Sequence, residues 1–339
     1  MGAASVLEEL SEQVHRTVES VIEPGSRIAL LGYPNHTNPG DHAVWLGAKA
    51  TLERLRAEIV YECSWRDYSR HALAAVVRDG AQIVFTGGGN FGDLWPATQS
   101  LRERVLREFK AARIVQLQQS VHFEHRRNLA RMEKLLRRRG NVTLVVRDQH
   151  SLKLAQRSFD VDVRLGPDLA FAAPLRPVTG APTADIAWIA RDDRESRGLN
   201  PPATPPGVWR ADWNLRDNER QPMPDEAWPP ASLSDLIARN RALTKAADDW
   251  RALADVREQL AQVRLERGCR LLRRGRVIVT DSLHAHILGV MLGIRTVATD
   301  NSYGKLRGTF DAFTHSIPLA RWAETPAEAL DIARQWQPD

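Results

Sequence analysis

Apolar residues Val6, Leu7, Leu10, Val14, Val18 and Val21 recur at helical spacing, so residues 5–22 read as an amphipathic helix. Beyond it the period changes. Short apolar runs at 27–31, 58–61, 82–85, 113–117, 142–146 and 161–164 read as strands, with helical stretches between them at 41–57, 97–111, 124–139 and 149–158. Strands alternating with helices at this period predict a doubly wound α/β domain built on a parallel sheet. A Pro/Gly/Ala-rich break at 174–184 ends the block and reads as a linker. Alternation then resumes, with strands at 185–190, 208–213, 276–280 and 295–299, helical material over 232–274 and a closing helix at 326–336. Pro-rich segments at 201–206 and 222–230 read as loops. The pattern predicts two doubly wound domains, 1–178 and 179–339, with ligands held between them.

Composition narrows the class without naming a chemistry. A chain of 339 residues suits two domains, and 43% hydrophobic with 26% charged residues excludes a largely disordered protein. Lys+Arg exceeds Asp+Glu by 47 to 42, too small and too evenly spread a surplus to call for a nucleic-acid partner. Arginine supplies 41 of the 47 basic residues, which favours bidentate recognition of carboxylate or phosphate. Cys63 and Cys269 stand far apart, with neither disulfide nor zinc spacing, so a reducing, cytoplasmic setting is expected. Residues 1–22 carry acidic groups where a secretion signal needs a basic flank, and no apolar run reaches the ~20 residues that span a bilayer.

Open α/β sheets bind ligands at the carboxyl ends of their strands, and the informative residues fall there. After the first strand comes Asn38-Pro39-Gly40-Asp41, in which Asp41 either caps the next helix or, with Asn38, offers hydrogen bonds to a polyol. After the third strand comes Gly87-Gly88-Gly89-Asn90, either a plain turn or a place where backbone N–H groups approach a ligand closely. Arg147-Asp148 follows the strand at 142–146, so Arg147 stands where an anion clamp belongs or pairs with a nearby carboxylate. Arg191-Asp192-Asp193-Arg194-Glu195 follows the strand at 185–190. Asp281-Ser282-Leu283-His284-Ala285-His286 opens a helix after a buried strand. Histidines two apart face different sides of a helix, so they are poor ligands for one metal; none is assigned, and one histidine is given to packing and the other to chemistry. Asp300-Asn301-Ser302-Tyr303-Gly304-Lys305 adds a polar loop with a lysine.

Taken in order, these segments resemble the polysaccharide pyruvyl transferase family. The carriers are Asn38 to Asp41, Gly87 to Pro96, Arg147 to Ser151, Pro167-Asp168-Leu169-Ala170-Phe171, Ala190 to Glu195, Thr280 to His286 and Asp300 to Lys305. The resemblance implies two Rossmann-like domains arranged as in B-type glycosyltransferases. It also implies transfer of the enolpyruvyl group of phosphoenolpyruvate onto two hydroxyls of a saccharide, giving a cyclic pyruvate ketal and phosphate, with no cofactor beyond the donor substrate. By the family pattern Arg147 would hold donor phosphate or carboxylate and His284 would act as general acid and base. Gly88, Gly89 and Asn90 would line the cleft floor, while Asn38 and Asp41 would face the sugar, with Asp41 a second catalytic residue beside His284. Asn301, Ser302 and Lys305 would complete the substrate site. One position departs from the family, because the arginine usual directly before the Leu-His pair is Ser282 here. Arg191 and Arg307 are the candidates for a substitute cation. The rival readings are an enzyme using a nucleotide-linked donor, a non-catalytic binding protein, and a tailoring enzyme on a small metabolite, the last suggested by Ser282 and the Pro/Trp-rich stretch 201–230. A lipid-linked acceptor would place the chain peripherally at the inner face of the cytoplasmic membrane.

Overall fold

The computed structural model describes residues 2–191, 195–196, 205–213, 230, 232–246, 250–302 and 304–336. Seven strands make the first sheet: β1 (Arg27–Leu31), β2 (Glu58–Cys63), β3 (Gln82–Phe85), β4 (Gly88–Gly92), β5 (Ile114–His122), β6 (Val142–Val146) and β7 (Asp162–Leu165). Their order is β2-β1-β3-β5-β6-β7, with β4 paired to β5 off this path, and every pair is parallel. Five strands make the second sheet: β8 (Ala184–Ala190), β9 (Val208–Asp212), β10 (Gly275–Thr280), β11 (Arg295–Ala298) and β12 (Ala320–Trp322), in the order β12-β11-β10-β8-β9, again all parallel. The two-sheet α/β class expected from the alternation is therefore present. In each sheet the chain reverses its direction of travel at one point, between β1 and β3 and between β8 and β10. Such switch points open a crevice at the strands' carboxyl ends.

Helices cover both sheets: α1 (Ala3–Glu19), α2 (Pro39–Arg54), α3 (Arg70–Arg78), α4 (Pro96–Glu108), α5 (Arg126–Leu136) and α6 (Gln149–Ser158) in the first half. The second half has α7 (Ser232–Ala246), α8 (Trp250–Leu272), α9 (Leu283–Met291), α10 (Lys305–Thr309) and α11 (Pro326–Gln335). The helical stretch expected at 232–274 is thus two helices. The loops expected at 201–206 and 222–230 lie outside the described residues except for 205, 206 and 230, as do Asp192, Asp193, Arg194 and Tyr303.

Two departures bear on the site. β5 runs on to His122, past the apolar run that marks its start, because buried Gln119 and Ser120 find polar partners in neighbouring segments. The glycine run expected as a loop is strand β4. At Gly92, with φ at +142°, a Cβ would sit 1.6 Å from the His122 carbonyl oxygen, so only glycine lets this segment lie against β5.

Helix α2 lies between the halves. Trp45, Leu46, Ala48 and Leu52 are buried on it, and it packs against the 3-10 turn Leu169–Ala172, α8 and α9. One apolar cluster accordingly runs from Val14 and Trp45 through Leu265 and Cys269 to Ile287 and Leu306, crossing from one half to the other. No helix among the described residues is long and apolar enough to cross a membrane.

Candidate active site

Strand β10 delivers the chain to α9 through Asp281 and Ser282. Thr280 Oγ1 accepts the Ser282 N–H at 3.0 Å and donates to the Ile189 carbonyl at 2.6 Å, tying the loop after β10 to β8. Ser282 is fully buried at the N-cap of α9, and its hydroxyl has no hydrogen-bond partner. The two histidines take different places. His286 is buried against Phe310 and bonded to Thr314 Oγ1 at 2.8 Å; burial pushes its imidazole down to about 4, so it packs as a neutral ring. His284 reaches the cleft between the halves. It lies beneath the first turn of α2, where a Cβ on Gly40 would come 2.2 Å from its Nδ1.

From the other half, β6 leads directly into Arg147, which is wholly buried. Its Nε donates to Ser120 Oγ at 3.0 Å, while Nη1 is ion-paired with Asp168 and stands 3.1 Å from His284 Nε2. A guanidinium only donates, so in this contact Nε2 accepts and a neutral His284 carries its proton on Nδ1. Asp168 Oδ2 lies 3.6 Å from the same Nε2, positioned to pair with it once the ring is protonated. Burial alone would raise the Asp168 carboxyl, yet Arg147 and His284 hold it well below the usual carboxylate range. Asp168 also caps the 169–172 turn through the Ala170 N–H at 2.8 Å. Asp148 is a structural cap: it takes the Ser151 N–H and the hydroxyls of Ser120 and Ser151.

A second charged group lies across the cleft. Glu195 is paired with Lys305 and, at 3.3 Å, with Arg191. Burial would raise its carboxyl, but the two cations bring it down to about 2. Burial lowers Lys305, and Glu195 opposes the shift. Arg191 is itself anchored through its N–H to Asp281 Oδ1 at 2.9 Å. Two carboxylates, Asp168 and Glu195, thus stand among the three cations Arg147, Arg191 and Lys305, so this end is less positive than three bare cations would make it.

The floor comes from β4. Arg102 sits beneath it, buried over the Phe91 ring at 4.5 Å, with its guanidinium pushed down by burial to about 9 and therefore still charged at neutral pH. It donates to Asn90 Oδ1 at 2.8 Å and to the Asn90 carbonyl at 3.2 Å, and Gln119 Nε2 adds a second bond to Oδ1 at 3.2 Å. With Oδ1 so engaged, the Asn90 Nδ2 is the end of the amide left to donate to a ligand. At the start of α2 it is Asn38, not Asp41, that caps the helix, taking the Gly40 N–H at 2.9 Å. Asp41 keeps its carboxylate for the cleft, 3.5 Å from His36 Nε2.

These elements enclose a cleft of about 710 Å³. Of the residues singled out in the sequence, Asn38, Asp41, Gly89, Asn90, Arg147, Arg191, His284 and Lys305 line it. Gly88, Ser282, Asn301 and Ser302 do not. Asn301 is buried and takes the Lys305 N–H at 3.1 Å, and the Ser302 N–H bonds the Glu195 carbonyl at 3.0 Å, so both shape the loop that carries Lys305. Arg307 is no substitute cation, since it lies over Trp322 paired with Asp311 and Glu324. His36, Trp65, Arg66, Trp95 and Glu195 also line the cleft and went unassigned. Of these, Trp95 and Glu195 carried a signal, in the segment Gly87 to Pro96 and in the charged run after β8. A group of three side chains close enough to share an ion, Asp93, Glu124 and His125, stands outside the cleft lining, and Asp93 there already accepts the N–H groups of Glu124 and His125 and the Asn128 amide.

The sequence model of the polysaccharide pyruvyl transferase family matches residues 38–303. Pyruvyl transferase 1 of Schizosaccharomyces pombe is 31% identical over 333 residues, covering 91% of this chain and 76% of its own. EpsO of Bacillus subtilis, named for pyruvyl transfer, is 27% identical and covers 89% of each chain. The crystal structure of an uncharacterised Klebsiella pneumoniae protein superposes with a TM-score of 0.57 at 14% identity, over 93% of this chain and 99% of that one, a likeness of fold alone.

Proposed function

The chain belongs to the polysaccharide pyruvyl transferase family, and from that premise we propose that it joins the enolpyruvyl carbon of phosphoenolpyruvate to two hydroxyls of a saccharide, forming a cyclic ketal and releasing phosphate. The observation that carries this reading is the buried contact of Arg147, Asp168 and His284, in which a cation, a carboxylate and an imidazole from both halves meet at one cleft. Arg147, Arg191 and Lys305 would take the donor's phosphate and carboxylate oxygens. His284 would give a proton to the methylene carbon, leaving C2 an oxocarbenium-like centre. The first hydroxyl adds there and its proton returns to the imidazole. Phosphate then departs with the C–O bonding pair, the second hydroxyl adds, and its proton leaves with the phosphate. Asp168 would steady the imidazolium through each protonated stage.

A nucleotide-linked donor would need a surface for its base in the second half. Among the described residues, that half lines the cleft with Arg191, Glu195, His284 and Lys305, charged and proton-carrying groups that suit the compact donor.

Millimolar phosphoenolpyruvate is expected to raise the melting temperature of the wild type. His284→Gln should keep that shift, yet phosphate release with a glycan mixture should fall by about 10²–10⁴-fold, the usual worth of a general acid. A wild type that phosphoenolpyruvate leaves unstabilised would refute the donor assignment. Equal phosphate release by wild type and His284→Gln would refute the role of the histidine and favour a binding protein.

A further inference from the structure

The cleft changes character along its length. Its charged end is made by Arg147, Arg191, Glu195, His284 and Lys305. None of these lines the small recess beside it, whose walls include Asn35, His36, Asp41, Trp65 and Thr98. Trp65 stands just past the end of β2, and among the described residues it is the large apolar side chain left exposed, at 43%. The Arg66 guanidinium lies over its ring at 4.4 Å. Unlike the cations of the charged end, Arg66 is ion-paired with no carboxylate among the described residues, and stacking on the indole is its side-chain contact.

A tryptophan in a cleft wall, with one face under a guanidinium and hydroxyl-binding groups around it, is a specific combination. The ring costs free energy while it faces water, and Arg66 covers one of its faces. The face of an indole is electron-rich and attracts polarised C–H groups. A pyranose ring matches this surface, since it has a patch of axial C–H bonds on one face and hydroxyls at its rim. Asp41, His36 and Asn35, groups able to hydrogen-bond hydroxyls, line the same recess as Trp65, and all four also line the larger cleft that holds the charged end.

We propose that Trp65, held by Arg66, is the platform on which a pyranose ring of the acceptor saccharide stacks, with Asp41 and His36 taking its hydroxyls. The proposal rests on the reading that the acceptor is a saccharide and extends it to a place in the cleft. It makes Trp65 a specificity-determining residue that stands apart from the donor contacts.

The test uses the full chain and methyl glycosides of glucose, galactose and mannose in saturation-transfer NMR, with thermal stabilisation by phosphoenolpyruvate measured in parallel. At least one glycoside should bind the wild type with saturation concentrated on one C–H face. Trp65→Ala should weaken that binding by about tenfold or more, as loss of a stacking contact worth about 1.4 kcal/mol would, while Trp65→Phe keeps most of it. Stabilisation by phosphoenolpyruvate should survive in both variants. Absence of glycoside binding to the wild type, or glycoside binding by Trp65→Ala within twofold of wild type, overturns the proposal. So does loss of donor stabilisation in Trp65→Ala together with glycoside binding, which would place Trp65 at the donor end. A wild type that binds a glycoside through Trp65 but ignores phosphoenolpyruvate refutes only the donor assignment.

Discussion

At the charged end of the cleft Arg191 and Glu195 pair within one short run, but the other contacts join residues far apart in the sequence. Glu195 and Lys305 are separated by 110 positions, and Arg147 and His284 by 137. Residue type alone gives each of them two readings, surface charge or buried pair, and only the closure of two sheets on one cleft decides between them. The pairing has a consequence for acid stability. The Glu195 carboxyl is at about 2 in the folded protein against an ordinary 4.5, so it stabilises the fold fully above about pH 4.5. That contribution is lost as pH falls from there through about 2, because the unfolded chain takes up the proton first. In Glu195→Gln the fall of unfolding free energy across this window should be shallower than in wild type, whatever the variant loses at neutral pH. Chemical denaturation at a series of pH values measures both slopes, and identical slopes would show that Glu195 is not the group held ionised. Trp65 marks the opposite limit of legibility: nothing about an isolated tryptophan after a strand distinguishes an exposed platform from a core residue.

At the scale of elements the sequence was most readable where apolar periodicity is strong. β1, β3 and β6 begin and end where their runs do, because strands buried on both faces of a parallel sheet leave a nearly continuous apolar trace. β4 was hidden because glycines carry no such trace, and the three residues of β12 are too few to show a period. Around the site, legibility followed the motif at 38–41, but the purpose of its glycine did not. Gly40 is where α2 comes down on the His284 ring, so its lack of a side chain is a steric requirement of the site. A methyl group 2.2 Å from Nδ1 has to displace either the helix or the imidazole. Gly40→Ala should therefore remain folded by circular dichroism yet lose about 10²-fold in turnover, the usual cost of moving a reacting group by an ångström. Wild-type turnover in Gly40→Ala would mean that His284 has room the structure does not show.

The cleft exists only while the two halves stay in register, and the molecule ties them with more than a chain crossing. The apolar cluster around α2 continues from the first half into α8 and α9 of the second. At its margin Arg257 of α8 reaches across to Asp67 with bonds of 2.7 and 2.9 Å, its guanidinium laid over the Tyr33 ring, and both side chains are buried. A bidentate pair between halves fixes distance and angle together, which a cleft lined by groups from both sides requires. Removing one member of such a pair strands the other, and Arg257→Ala should cost about 3–5 kcal/mol. Because the halves share a core, that loss should appear as a downward shift of one cooperative melting transition, with turnover below the melt reduced as the walls lose their register. Calorimetry that resolves two separate transitions, in wild type or variant, would show that the halves unfold independently and that the shared core does not couple them.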